Sequence, residues 1–361
     1  MEWIKLLFII FVLFVGIGSV INRLLIYKEK VSQKGYDLVE KIEQAYETKE
    51  ISLNEQLLLQ KLSRKLKHQV DKEYLYDYLR KKKNEDEVWT KSFLSQSQIL
   101  KPHLHTKHKK LFEQLYLIKC VGQFGLEAYT DTMIRFLESE VTTIQANAMK
   151  TLSSLGEVES CILGVEYLKG RESELSDAFL VDCLVAFKGD KTQLNEALLK
   201  KMSSHEEVAD KIWMIYFEHI EYEKAASIIH QKLVESKQKG IRLIEAIEYF
   251  AKIKYSPVQH CLAEFITEGD LNERVLAARA LRFYSNEQVI NSLQMALEDE
   301  SYVVREQAAQ SLYELLNTHE NLFGMLEEKE DMSQLVDSLV AEETLKEYLT
   351  QLQILDQLKE A

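Results

Sequence analysis

Apolar positions in the second half of the chain fall into columns. Leu152, Leu184, Phe217, Tyr249, Leu281 and Leu312 are all large and apolar, with successive offsets of 32, 33, 32, 32 and 31 along the sequence. Three positions before each runs a second apolar column: Met149, Val181, Met214, Ala246, Ala278 and Ala309. Leu117 and Cys120 extend both columns into LYLIKCVGQFG at 115–125. Apolar residues three apart share one helix face. Between these segments lie further apolar stretches of helical character, VQHCLAEFITEG at 258–269 and VINSLQMALED at 289–299. Each period therefore predicts helix, tight turn, helix. One such pair leaves its apolar face open, and a stacked neighbour covers it. About six to seven units of this period predict an all-α fold, an α-solenoid.

The two C-terminal copies are the most alike. EGDLNERVLAARALRFY (268–284) and DESYVVREQAAQSLYEL (299–315) share an acid, an Arg six positions later, then Ala-Ala and Leu, at an offset of 31. Arg242 precedes Arg274 and Arg305 in the same column, which upstream becomes Asp210, Asp177 and Gln145. Ala277, Ala278, Ala308 and Ala309 are small enough for helices to approach closely, with Leu281 and Leu312 filling the seam. On these residues the chain resembles the HEAT-repeat family, in its compact bacterial form, over about residues 111–320. The resemblance implies paired helices stacked into a curved array, the second helix of each pair on the concave side. It also implies that Glu268/Arg274 and Asp299/Arg305, with Arg242, brace the turns between adjacent repeats. Tetratricopeptide repeats have a similar period, but their Trp, Gly-Tyr and Pro positions are missing.

One repeat departs from the pattern. IWMIYF at 212–217 is apolar all round and sets bulky side chains where the later copies have Ala. Two readings fit: a thicker core at that repeat, or an apolar partner-binding spot anchored by Trp213, Tyr216 and Phe217.

The N-terminal third is different again. LLFIIFVLFVGIGSVI at 6–21 carries no charge, and residues 3–27 are long enough to cross a bilayer. Residues 1–27 are therefore expected to be a transmembrane anchor; a cleaved signal peptide would need a small-residue cleavage site, which is missing. Lys and Arg are in excess after the span, so the large C-terminal part is expected in the cytoplasm. Residues 28–110 read as a helical, partly basic stalk, with clusters at Lys61/Arg64/Lys65/Lys67, Arg80/Lys81/Lys82/Lys83 and Lys101/Lys107/Lys109/Lys110. Such clusters can meet anionic lipid headgroups or form a solvated helix face. The Leu-rich, acidic segment 321–361 reads as a helical cap.

Composition agrees with helices: 2 Pro and 12 Gly in 361 residues. Net charge is −13, yet residues 1–110 hold 21 Lys+Arg against 14 Asp+Glu. The acidic remainder argues against nucleic-acid binding, which needs a basic surface. Cys120, Cys161, Cys183 and Cys261 have no CxxC spacing and read as reduced core residues. His103, His105 and His108 invite a metal, but lysines surround them and no carboxylate or Cys lies beside them. No phosphate loop, HExxH or Gly-x-Ser-x-Gly elbow occurs. The expectation is accordingly no catalytic site, no cofactor and no metal. The function expected is a membrane-anchored cytoplasmic scaffold for a protein partner, itself membrane-associated. The alternatives are a HEAT-like enzyme such as a lyase, or a membrane-surface module using the basic stalk.

Overall fold

A computed structural model of the chain describes residues 33–48, 52–66, 69–100, 111–171, 173–204 and 209–318. The expected anchor over 1–27, the histidines at 103–108 and the expected cap over 321–361 lie outside these residues. Among the described residues every element is helical, with no strand. Among them, too, no helix is long and apolar enough to cross a membrane.

The chain divides into two compact units between Leu194 and Asn195. The first contains α1 (Gln33–Thr48), α2 (Leu53–Arg64), α3 (Gln69–Glu85), α4 (Glu87–Ser97), α5 (Leu111–Phe124), α6 (Thr130–Phe136), α7 (Thr142–Leu155), α8 (Val158–Gly170) and α9 (Asp177–Val185). The division falls within α10 (Lys191–Ser203). The second unit continues with α11 (Asp210–His219), α12 (Ala226–Gln238), α13 (Ile244–Phe250), α14 (Gln259–Glu268), α15 (Leu271–Leu281), α16 (Glu287–Ala296) and α17 (Tyr302–Thr318).

Local chemistry sets many of the helix starts. Ser52 and Glu55 make a reciprocal capping box at α2, and Asp270 and Glu273 make another at α15. Asp86, Ser176 and Asn286 each accept an orphan backbone N–H at the starts of α4, α9 and α16. Each such cap contributes about 1 kcal/mol.

Packing follows the column periodicity. In the first unit, odd-numbered helices contact the next odd-numbered helix: α1 on α3, α3 on α5, α5 on α7 and α7 on α9. Even-numbered helices pack beside them, α2 on α4 and α6 on α8. In the second unit the same rule joins α11 to α13, α13 to α15 and α15 to α17, with α14 on α16. Every member of both apolar columns from Met149 to Leu312 is buried, as are Leu117 and Cys120. Burying one such Leu or Phe side chain contributes roughly 1.5–3 kcal/mol. Ala277, Ala278, Ala308 and Ala309 are buried in the α15–α17 seam, where their small size lets the helices meet.

Residues 33–97, the region expected to be a stalk, have the same alternating contacts. Leu38, Ile42, Leu75, Leu79, Phe93 and Leu94 are buried among them. The buried Lys72 joins α3 to α5 through Glu113 at 3.0 Å, and its carbonyl accepts the Tyr116 hydroxyl at 2.9 Å. Of the second basic cluster, Lys82 is held by Glu43 (3.3 Å) and Glu85 (3.2 Å), and Lys83 donates to the Gln123 carbonyl at 2.7 Å. Those two cations serve the fold.

Two turns of the first unit touch backbone to backbone. Gly156 ends α7 in the left-handed region at φ +78°, and Gly189 stands one period further along the chain. A Cβ on Gly189 would sit 2.1 Å from the Gly156 carbonyl oxygen. The Lys188 N–H donates to the Ser153 carbonyl at 3.1 Å, and the Ser153 hydroxyl donates to the Cys183 carbonyl.

Candidate protein-interaction surface

The aromatic run does not supply an exposed anchor. Trp213 is 1 % exposed and Tyr216 and Phe217 are 0 %. The Tyr216 hydroxyl donates to the Asn195 side chain at 2.9 Å, and Phe217 stacks on Tyr222 with centroids 5.3 Å apart. The partner-binding reading of Trp213, Tyr216 and Phe217 is therefore corrected. Their bulk fills the core at α11, since the local scaffold already provides partners for ring and hydroxyl alike.

The brace residues do meet: Arg305 reaches Asp299 as the resemblance implies, through its carbonyl, whereas Arg274 pairs with Asp299 and not with Glu268. Arg274 Nε lies 2.8 Å from Asp299 Oδ2, and its Nη2 lies 3.2 Å from Oδ1, so the start of α15 grips the turn before α17. Arg274 Nη1 also donates to the Gly269 carbonyl at 3.2 Å, not to Glu268. Glu268 instead receives Lys237 at 3.0 Å. Arg305 reaches the main chain of its own turn, donating to the carbonyls of Asp299 (2.8 Å) and Glu300 (3.1 Å). Arg242 crosses to Asp270 at 2.6 Å, and Lys211 crosses to Glu245 at 2.7 Å. Each crossing rung runs from the start of one odd-numbered helix to an acid at or just before the next.

The upstream members of the Arg column keep part of this job. Gln145 donates to the carbonyls of Leu137 (3.3 Å) and Ser139 (2.8 Å), and accepts from the Ser173 hydroxyl at 2.8 Å. It thus braces its own turn and the next one without charge. Asp177 and Asp210, where the column turns acidic, take Lys169 at 2.7 Å and Lys232 respectively. In sequence these positions look like decay of the column; the signal is their register, which the change of residue type obscures.

Beside the rungs the second unit exposes apolar side chains at the starts of the same helices. Ile241, Leu271 and Val303 are 51 %, 46 % and 49 % exposed, one per repeat, with Tyr302 next to Val303. Arg242–Asp270 and Arg274–Asp299 bring these helix starts next to one another, so the three exposed residues lie at the same end of neighbouring helices. A groove of about 390 Å³ opens at the upstream end of this edge, lined by Met214, Ile241, Leu243 and Ile244 together with Lys211 and Arg242. The three do not share one register: Ile241, Leu271 and Val303 stand 8, 10 and 9 positions before Tyr249, Leu281 and Leu312, so column periodicity does not reveal them in sequence.

A second groove, about 530 Å³, lies between α12 and α14 and includes His230, Lys237, His260 and Cys261. Lys237 is engaged by Glu264 and Glu268, and burial pushes the Cys261 thiol up to about 11 and lowers His230 from its usual value. A thiol so raised is protonated at neutral pH and is a poor nucleophile. All four cysteines are free and buried. Among the described residues no cluster of three His, Cys, Asp or Glu could hold a metal ion. No protein-family model matches the chain, and no curated protein matches it.

Proposed function

We propose that the chain is a membrane-anchored, non-enzymatic scaffold: an α-solenoid of HEAT-like helix pairs, tethered by residues 3–27, with its large C-terminal part in the cytoplasm. Its partner is a membrane-associated protein, held along the edge formed by Ile241, Leu271 and Val303. The observation that carries this reading is that edge. Three aliphatic side chains about half exposed, one per repeat at helix starts joined by ion pairs, place apolar groups beside polar ones along neighbouring helix ends, which is what a protein-binding patch needs. The stacked helices make the patch rigid, so little ordering cost remains when a partner docks.

The test is recovery of partners from solubilised membranes with the full chain. Combined Ile241→Glu, Leu271→Glu and Val303→Glu should lower recovery of the partner at least tenfold while helicity and denaturation midpoint stay unchanged. Leu163→Glu, an exposed position on α8, should leave recovery intact. Equal recovery with the edge variant and wild type would refute the assignment of the edge.

A further inference from the structure

Lys61, Arg64 and Lys65 of the first basic cluster stay exposed, unlike Lys82 and Lys83 of the second, which the fold engages. On α2, Lys61 and Arg64 are exposed, as is Lys65 at its C-cap. The leucines of the same helix are split between two sides. Leu59, with Ser63 beside it and Leu66 just past the helix end, is buried, and the Ser63 hydroxyl donates to the Ile99 carbonyl at 2.7 Å. Leu53, Leu57 and Leu58 instead point outward, at 71 %, 57 % and 40 % exposure. At 100° per residue these three leucines, Asn54 and the three cations fall within about 140° of arc. No acidic residue lies in that arc: Glu55, the nearest on the helix, is turned toward the cap, where it accepts from the Ser52 hydroxyl and N–H. Cations in the last turn alone would be explained by the helix dipole. That explanation leaves three exposed leucines without a role.

We propose that the outward face of α2 is a bilayer-docking surface. Leu53, Leu57 and Leu58 enter the boundary between headgroups and acyl chains of an anionic membrane, and Lys61, Arg64 and Lys65 lie against its phosphates. An apolar and basic helical face of this kind lies in the interface plane, and its binding combines buried apolar area with attraction to anionic lipid. Charge complementarity selects the occupant, because a protein partner for this face would have to be both acidic and apolar, whereas an anionic bilayer is both by construction. The cytoplasmic leaflet is the anionic one. The surface does not depend on the anchor or on the partner-binding edge; with the anchor in place, α2 follows it closely in the chain and would fix the orientation of the helical body against the bilayer.

The experiment uses the full chain with Asn54→Cys, a single exposed thiol in the middle of the face, labelled with an environment-sensitive dye. The four native thiols are buried. The protein is incorporated into phosphatidylcholine vesicles with and without phosphatidylserine, each containing nitroxide-labelled lipid. Dye on Asn54→Cys should shift to the blue and be quenched in the anionic vesicles, while dye on Met295→Cys, an exposed site on α16, should not. Lys61→Glu, Arg64→Glu and Lys65→Glu together should bring the anionic-vesicle response down to that of the neutral vesicles. Leu53→Ser with Leu57→Ser should also abolish it. Quenching no greater with phosphatidylserine than without, or unchanged by charge reversal, would overturn the proposal. Flotation with the neutral vesicles reports the anchor separately: its loss would count against residues 3–27 and not against α2.

Discussion

Gly189→Ala tests how closely the helical repeats of the first unit are stacked. The added Cβ would meet the Gly156 carbonyl oxygen at 2.1 Å and the Phe187 ring at 2.6 Å. The first contact is more than about 1 Å inside ordinary van der Waals separation, and its partner is backbone that cannot rotate away. The turns must separate, which also strains the Lys188–Ser153 hydrogen bond. Overpacking costs about 1–3 kcal/mol and the bond about 0.5–1.5 kcal/mol, giving about 1.5–4.5 kcal/mol. Buried cysteines report the result locally. Burial pushes the Cys161 thiol up to about 12 and Cys183 up to about 11, so both resist alkylation while the unit is closed. At about 1.4 kcal/mol per tenfold, labelling through local opening should accelerate roughly 10- to 1,600-fold at Cys161 and Cys183. Mass spectrometry of the alkylated protein reads each site, and Cys261 in the second unit is the internal reference. Gly240→Ala, where a Cβ meets nothing and only the positive φ of 68° is strained, should leave both first-unit cysteines at the wild-type rate. Wild-type labelling of Cys161 and Cys183 in Gly189→Ala would refute the close approach.

Other consequences are equally measurable. Arg274→Ala and Asp299→Ala, both part-buried, should show a coupling of about 1–3 kcal/mol in a double-mutant cycle read by urea denaturation; additive effects would dissolve the rung. Trp213→Ala should lower stability by about 3–5 kcal/mol, and Tyr216→Phe by about 1–3 kcal/mol through loss of the bond to Asn195, whereas the exposed Ile241→Ser should change the midpoint little. His230 lies beside Phe250 and Tyr255 with its proton affinity lowered by burial. The unfolded chain binds this proton first as pH falls, so stability from His230 is complete above about 6.5 and is lost as pH drops through the lower folded value. His230→Gln should flatten the stability difference between pH 7.5 and 5.5.

The helix pairs were legible because burial imposes the same two columns on every period, and all their members from Met149 to Leu312 are buried. The aromatic run at 212–217 was ambiguous for a physical reason: volume says how much space a side chain fills, not which side of the helix the space is on. Asn195, which receives the Tyr216 hydroxyl, lies well upstream and carries no pattern pointing to it. The braces were legible as residues, and Arg305 with Asp299 as a pair, but the partner of Arg274 was not. Arg274 has Glu268 six positions before it in sequence, yet the guanidinium extends along the stack to Asp299. The contacts of 33–97 were hidden because α1 to α4 lack the Ala-Ala seam and carry their cations on both buried and exposed sides. Lys72 and Lys82 look like Lys61 in sequence; only the acids brought near by folding separate them.

The rungs also constrain how such a chain can grow or shrink. Asp270 stands directly before α15 and Ser301 directly before α17, with Arg274 and Arg305 at the fourth position of each helix. Excising one full period, from Leu271 through Ser301, would join Asp270 to Tyr302 and carry away Arg274 and Asp299 together. Arg242 would still find Asp270, now capping the helix that holds Arg305. A deletion that is not a whole period would instead change the spacing of the columns and turn the Ala-Leu seam away from its neighbour. Removal of a whole period from Leu271 through Ser301 would thus keep both the charge pairing and the seam.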